Sequence, residues 1–314
     1  MKQLKRIAAT GLVCSALMSS AWAAEPAACQ KVSFAEIGWA DISATTGVAM
    51  TLTEGLGYKP TKRMVSVPIA FTGVKNKQVD VFLGYWSPSM DTVIEPFTKD
   101  GSVKVLEKPN LEGAKYTLAV PTYAAEQGLK SFEDIAKFKD KLGGKIYAIE
   151  PGNDGNLLID GMIKDNTFGL GDFKMVESSE AGMLVQVSRA VKRKEPIVFL
   201  GWAPHPMNTQ FDMTYLSGGD DVFGPDYGAA KVYTVINKDY ESRCPNVGKL
   251  LNQLQFNVEM ESQLMEKVLD KQDPVTVAKA YLKENPAVLD QWLAGVTTFD
   301  GKDGAAAVRT YLGL

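Results

Sequence analysis

Three tryptophans stand where predicted strands end. Trp39 follows the run KVSFAEIG, Trp86 closes VDVFLGYW and Trp202 closes PIVFLGW. A quaternary ammonium group has no N–H to donate, so aromatic faces must replace its water through their quadrupoles and through dispersion, at about 0.5–2 kcal/mol a face. A single tryptophan at such a place is as readily a packed core residue. Three of them at equivalent places favour a site that holds an organic cation.

The chain repeats itself around these tryptophans. The string VFLGYWSPSMD, which contains Trp86, has a near-copy, VFLGWAPHPMN, which contains Trp202. Trp39 precedes Trp86 by 47 residues, and Asn153, at a predicted strand-to-helix turn, precedes Trp202 by 49. These two units predict two similar lobes, each of which offers the carboxyl ends of its strands. Because ligands of open α/β sheets bind at that edge, two facing edges predict a cleft.

Short β-like runs alternate with helical segments, which predicts an α/β fold with a parallel sheet and crossover helices. Asp41 or Ser43 is a possible N-cap of the first helix, and Asn153 or Asp154 of the first helix in the second unit. The predicted elements are strands at 31–39, 62–69, 79–86, 115–122, 145–152, 173–179 and 196–202, helices at 41–58, 71–78, 131–142, 153–170 and 180–195, and mostly helix from 244 to 314.

The first 23 residues have the pattern of a secretory signal peptide. A basic start, MKQLKR, precedes the apolar IAATGLVCSALM and the small-x-small pattern AWA, which predicts cleavage after Ala23. An uncleaved anchor is the lesser alternative, because the apolar run is short for a membrane span. We therefore expect an exported protein.

The charge of the mature chain limits the partners that it can bind. Without the leader the chain carries 31 Lys and Arg against 37 Asp and Glu. These scattered charges give no basic surface for nucleic acid and no polybasic cluster for anionic lipid.

Once the leader is removed, Cys29 and Cys244 are an even pair in an oxidising compartment, which favours a disulfide over two buried free thiols.

Residues for catalysis are sparse. His205 is the only histidine, so it is the sole candidate base for a Ser-His or Cys-His arrangement, and no multi-histidine zinc site can form. The chain has no G-x-S-x-G, Walker A or G-x-G-x-x-G motif. The string SGGDDVFGPDYG departs from EF-hand spacing and is interpreted as a hinge connection between lobes. We expect no cofactor and no metal, and an exported esterase is a distant alternative.

Six motifs lie at these turns: GWADISATT, DVFLGYWSPSMD, GAKYTLAV, IYAIEPGNDGN, IVFLGWAPHPMN and YLSGGDDVFGPDYG. They resemble those of the choline-binding members of the periplasmic substrate-binding proteins, which deliver quaternary amines to an ABC importer, and the resemblance covers essentially the whole mature chain. The resemblance implies a type II-like fold of two lobes, with a ligand cleft between them. Lobe I is then 24–114 with 219–314, and lobe II is 115–218. It further implies a monomer in the periplasm that works with a permease in the inner membrane.

The resemblance also implies which residues form the site. An aromatic box would surround the trimethylammonium group, with walls from Trp39, Trp86, Tyr116 and Trp202. Asp41 would supply compensating charge or accept a hydroxyl proton, and Asn153 would offer its amide to the alcohol. Three other aromatic residues match no box position and are interpreted as packing: Tyr85, Tyr123 and Trp292.

Choline, glycine betaine and carnitine share the trimethylammonium group, so the box does not distinguish them. The cleft motifs contain no Arg for a carboxylate, and they bring Asp41, whose charge opposes one. We therefore expect choline to bind most tightly, with betaine and carnitine as alternatives. The helix N-termini after Asp41 and Asn153 are the features that would favour a carboxylate instead.

Overall fold

The computed structural model describes residues 25–314, and the predicted leader with its cleavage after Ala23 lies outside the described residues. The strands are β1 Lys31–Glu36, β2 Lys59–Met64, β3 Val81–Ser87, β4 Val103–Val105, β5 Leu111–Pro121, β6 Lys145–Tyr147, β7 Lys174–Val176, β8 Phe199–Ala203, β9 Met213–Tyr215 and β10 Ala229–Asn237.

The α-helices are α1 Ala40–Gly55, α2 Val67–Lys75, α3 Asp91–Lys99, α4 Thr122–Glu126, α5 Phe132–Ile135, α6 Lys139–Leu142, α7 Asp154–Lys164, α8 Glu180–Arg193, α9 Met207–Gln210, α10 Asp220–Phe223, α11 Pro225–Gly228, α12 Tyr240–Arg243, α13 Pro245–Gln253, α14 Val258–Leu269, α15 Pro274–Glu284, α16 Val288–Trp292 and α17 Gly304–Leu312. Short 3₁₀ turns are present at Ala27–Cys29, Ala136–Phe138 and Thr167–Gly169. None of the helices in the described part of the chain is long and apolar enough to cross a membrane.

Within the described residues the strands form one mixed sheet, in the order β2-β1-β3-β10-β5-β8-β6-β7, with β4 beside β10 and β9 beside β5. β1 pairs in parallel with β2 and β3, and β6 does so with β7 and β8. The central strands β5 and β10 are antiparallel to each other and to their outer neighbours. The prediction of a parallel sheet therefore holds inside each repeat unit and is wrong at the centre.

The two repeat units have the same architecture. The first runs β1-α1-β2-α2-β3 and the second β6-α7-β7-α8-β8, and the strand orders β2-β1-β3 and β7-β6-β8 correspond. Trp86 pairs with Val232 of β10, and Trp202 pairs with Tyr116 of β5. The repeated strings thus occupy equivalent strands, each next to one of the two central strands, and the predicted order of strands and helices is confirmed.

The predicted boundary between the second strand and the second helix of the first unit is wrong. The strand predicted at 62–69 ends at Met64, and the helix predicted at 71–78 begins at Val67. Pro68 lies in the first turn of α2, where its missing N–H costs nothing, whereas the same proline could not donate to a strand ladder. The two valines around Ser66 suggested a strand that the proline does not allow.

The predicted disulfide is present between Cys29 and Cys244, whose Cα atoms lie 5.6 Å apart. Cys29 ends the short turn before β1, and Cys244 lies between α12 and α13. The bridge therefore joins the beginning of the first repeat unit to the segment that follows β10.

Candidate functional site

A small cavity lies between the two repeat units. All six residues predicted for the site line it, and three more that sequence reasoning did not include complete the lining. The nine are Trp39, Asp41, Trp86, Met90, Tyr116, Ile149, Asn153, Asp154 and Trp202. Tyr85, Tyr123 and Trp292 are not among these residues.

The first repeat unit supplies Trp39, Asp41 and Trp86. Trp39 is the N-cap of α1, with extended backbone, and Trp86 lies near the end of β3. The indole N–H of Trp86 donates to Asp41 Oδ2 at 3.2 Å. Asp41 is the second residue of α1 rather than its cap, so the interpretation of Asp41 or Ser43 as N-cap is wrong. This position turns the carboxylate toward the cavity.

The second unit and the central strand β5 supply the opposite wall. The Tyr116 ring lies between the two strand tryptophans, with ring centroids 6.0 Å from Trp86 and 6.2 Å from Trp202. The Tyr116 hydroxyl donates to Asn153 Oδ1 at 2.8 Å. Rings from both units therefore face one small space, an arrangement suited to an organic cation.

Two glycines leave room for Tyr116. A Cβ on Gly155 would lie 2.1 Å from the Tyr116 hydroxyl oxygen, and one on Gly228 would lie 2.0 Å from the Tyr116 carbonyl oxygen. Phe223 packs edge-on against the Tyr116 ring at 6.0 Å. The string SGGDDVFGPDYG, interpreted above as a hinge connection, contains Phe223 and Gly228 and so supports the aromatic wall from behind.

Asn153 has a structural task of its own. It is the N-cap of α7, the first of the two residues expected at this helix start, and its Oδ1 accepts from the backbone N–H groups of Gly155 and Asn156 as well as from Tyr116. Its Nδ2 donates to Asp154 Oδ1 at 3.2 Å. With the carbonyl oxygen and one N–H of the amide occupied in this way, the second N–H of Asn153 Nδ2 is the donor left for a ligand.

Asp154 is the residue that sequence reasoning missed. It is 2% exposed, lines the cavity, and its Oδ2 has no hydrogen bond within the described protein. The same is true of Asp41 Oδ1. An unpaired buried carboxylate oxygen is costly, so both atoms are suited to receive a cation or a donor from a ligand. Asp154 follows Asn153 directly and starts the helix, but its place in the sequence does not show that its side chain faces the cavity.

The electrostatics of the cavity are acidic. Burial, followed by the negative charge of Glu180, raises the pKa of Asp41 to about 7. Burial raises the pKa of Asp154 to about 6. Among the described lining residues none is Lys or Arg. A bound cation would favour the ionised form of both carboxyl groups, so the site gains most from a positively charged ligand.

Two glutamates outside the cavity lining form hydrogen bonds that connect the two repeat units. Glu150 accepts from the Trp39 indole N–H at 2.9 Å, and burial raises the pKa of this glutamate to about 7. Glu180 accepts from the backbone N–H of Ala40 at 2.9 Å. His205, considered above only as a catalytic base, is buried. Its ring packs against Trp202 and contacts Glu180. Neither glutamate was singled out from the sequence.

Comparison with known proteins gives the family. Residues 30–284 match the profile described as OpuAC, the substrate binding domain of ABC-type glycine betaine transport system. The chain belongs to this family. It is therefore a transport substrate-binding protein, as its motifs indicated, with the two-lobed α/β fold of its structural relatives.

Three relatives are informative. A solved ABC-transporter choline binding protein in complex with choline is 54% identical, with a TM-score of 0.90 over 92% of this chain and 100% of that chain. An ABC-transporter choline binding protein in an unliganded semi-closed conformation is 55% identical, with a TM-score of 0.84 over 91% of this chain and 100% of that chain. The glycine betaine/carnitine transport binding protein GbuC of Listeria monocytogenes serotype 1/2a (strain 10403S) is 30% identical over 164 residues, 52% of this chain and 54% of that protein.

Proposed function

We propose that the mature protein captures choline and delivers it to an ABC permease in the inner membrane. The single observation that supports this most is the cavity itself, in which four aromatic rings and two buried carboxyl groups face one small space with no Lys or Arg among the described lining residues. A quaternary amine satisfies the rings through cation–π contact and the carboxylates through its charge. The choline complex of a relative 54% identical supports the same assignment.

In this proposal each residue has a defined role. Trp39, Trp86, Tyr116 and Trp202 form the box around the trimethylammonium group. Asp41 balances its charge. The choline hydroxyl donates to Asp154 Oδ2, which has no partner, and accepts from the Asn153 amide.

The cellular setting is part of the proposal. Residues 1–23 would direct export, and the mature protein would act in the periplasm as a monomer. Lobe I would comprise 24–114 and 219–314, and lobe II 115–218. The lobes would rotate about β5 and β10, because these two strands connect the repeat units.

The preference among quaternary amines follows from charge. Glycine betaine and carnitine carry a carboxylate, which would meet Asp41 and Asp154 in a partly dry site, at a cost of about 1 kcal/mol or more. Choline brings net positive charge and a hydroxyl. Choline should therefore bind more tightly than either carboxylate-bearing ligand.

Calorimetric titration of the mature protein with choline, glycine betaine and carnitine tests the proposal. Asp41→Asn should weaken choline and narrow or reverse its lead over betaine. Asp160→Asn is the matched control, since Asp160 is a half-buried residue of α7 that pairs with Lys164 and does not line the cavity, and it should change neither affinity. Betaine binding more tightly than choline in the unmodified protein would show that the charge argument is wrong. Release of free choline from a choline ester would favour the hydrolase alternative.

A further inference from the structure

Glu180 is a buried carboxyl group that does not line the cavity. It is 4% exposed and is the first residue of α8, in the second repeat unit. Its Oε2 accepts from the backbone N–H of Ala40, and its Oε1 contacts His205 Nε2, both at 2.9 Å. Each carboxylate oxygen therefore has a specific partner, one in each repeat unit.

The Ala40 N–H needs a partner from outside its own helix. Ala40 is the first residue of α1, and the first N–H groups of a helix have no acceptor within it. A serine, threonine or aspartate at the N-cap usually supplies an acceptor nearby, but the N-cap here is Trp39, which makes no side-chain capping bond. Glu180 satisfies this donor from the opposite repeat unit, and its negative charge lies at the positive end of α1.

His205 fixes the direction of the second contact. The backbone N–H of Met207 donates to His205 Nδ1 at 2.8 Å, so Nδ1 is the acceptor nitrogen and Nε2 carries the proton that is donated to Glu180. The His205 ring also packs edge-on against Trp202, with centroids 4.8 Å apart. Glu180 is therefore positioned relative to Trp202 on one side of the cleft and Ala40 on the other.

We propose that Glu180, held by His205, is a positioning residue that locks the closed cleft and aligns the two halves of the aromatic box. Ala40 lies between Trp39 and Asp41, so a bond to its N–H orients two site residues at once. The inference rests on the proposed function, because the box is aligned for a quaternary amine. Glu150 also bridges the cleft, but it is partly exposed and holds only the Trp39 side chain.

The bond from Ala40 to Glu180 joins two units that separate when the cleft opens, so its loss should accelerate ligand release more than it slows association. Hydrogen bonds to charged groups contribute enough that removing this one should weaken choline roughly tenfold to a hundredfold. The Ala40 amide should exchange slowly with solvent in the choline complex of the unmodified protein, and rapidly in variants that lack the acceptor.

Two substitutions of Glu180 separate geometry from charge. Glu180→Gln keeps the shape and removes the charge, and its single acceptor oxygen cannot accept from both Ala40 and His205. Glu180→Asp keeps the charge and is too short to reach both partners. Glu195→Gln is the control for charge alone, since Glu195 is an exposed acid just beyond α8. His205→Asn keeps an acceptor for Met207 and cannot reach Glu180, and His205→Gln places an amide donor near the position of Nε2.

The experiment measures choline association and release by stopped-flow fluorescence, and Ala40 amide exchange by NMR at saturating choline. Both Glu180 variants and His205→Asn should release choline faster and lose Ala40 protection, and His205→Gln should recover part of each property. Weaker choline binding by Glu180→Gln, with binding by Glu180→Asp unchanged, would show that Glu180 acts through its charge alone and would overturn the inference. Unchanged rates of choline release in these variants, with the Ala40 amide still protected from exchange, would overturn the inference outright. If Glu180→Gln does not fold, the His205→Asn variant provides the test. Failure of the unmodified protein to bind choline would refute the proposed function instead.

Discussion

Choline binding should weaken as the pH falls from 8 to 6, because the Asp41 carboxyl group must be ionised to balance the cation. The pKa of Asp41 in the empty site is about 7, raised by burial and by the charge of Glu180. A bound cation lowers this pKa, so affinity is fully present well above pH 7 and is lost as the pH falls through that value. The ionised fraction of a group with this pKa falls about tenfold between pH 8 and pH 6, and the dissociation constant should rise by the same factor. Asp154, with a pKa of about 6, adds about another factor of two.

Isothermal titration across this range at constant ionic strength measures the effect. Repeating the titration at pH 7 in buffers of different ionisation enthalpy should reveal proton release on binding. Asp41→Asn should bind choline more weakly at every pH and retain only the twofold part of the change. Asp160→Asn is the control and should leave the pH dependence unchanged, because Asp160 pairs with Lys164 and does not line the cavity. A dissociation constant that stays constant from pH 8 to pH 6 would refute the reasoning.

Trp202→Ala should weaken choline by about tenfold or more, since one desolvated aromatic face is lost; unchanged affinity in the folded variant would remove this residue from the site. Gly155→Ala should weaken choline on the order of tenfold by pushing Tyr116 from its place, because the new Cβ would lie 2.1 Å from the phenol oxygen. Gly161→Ala is its control in the same helix, where a Cβ meets nothing within 4 Å, and equal affinities of the two variants would contradict the steric argument. Replacing both bridged cysteines with serine should lower the free energy of unfolding in urea by about 5 kcal/mol on the chain-entropy relation, since the bridge spans 215 residues. A loss below about 1 kcal/mol would show that the unfolded chain is not restrained as that relation assumes.

The order of strands and helices in the repeat units could be predicted because each unit alternates short apolar runs with helical segments. The strand predicted at 115–122 is the central strand β5, but the local pattern gave neither β10 nor the pairing of the two central strands. Residues 229–237 form β10, which pairs with β3, β4 and β5. Those pairings join segments far apart along the chain, and no local periodicity specifies them. The direction of the central strands, and hence the mixed sheet, follows only from the tertiary fold.

Five of the six predicted site residues line the cavity because the two repeat units place them at strand ends and helix starts, whereas Tyr116 comes from the middle of the central strand β5. Asp154 was missed because adjacent residues at a helix start point in different directions, and which one faces the cavity depends on how α7 is oriented. Glu180 was missed for a stronger reason. Its partners, Ala40 and His205, are 140 and 25 residues away along the chain. The contact with Ala40 is made to a backbone N–H, which cannot be recognised from the type of residue.

The bridge between Cys29 and Cys244 makes a closed covalent ring of everything between these residues, including all ten described strands. A protease that cuts one loop inside the ring opens it without releasing a fragment, because both ends stay joined through the two sulfur atoms. A single cut after Cys244 instead frees part of the C-terminal helices, among them α14, α15 and α17, which pack against α1. The aromatic cavity is therefore protected against loss by a first cut within the ring, and its weak point toward proteases lies in the helical segment from 245 to 314.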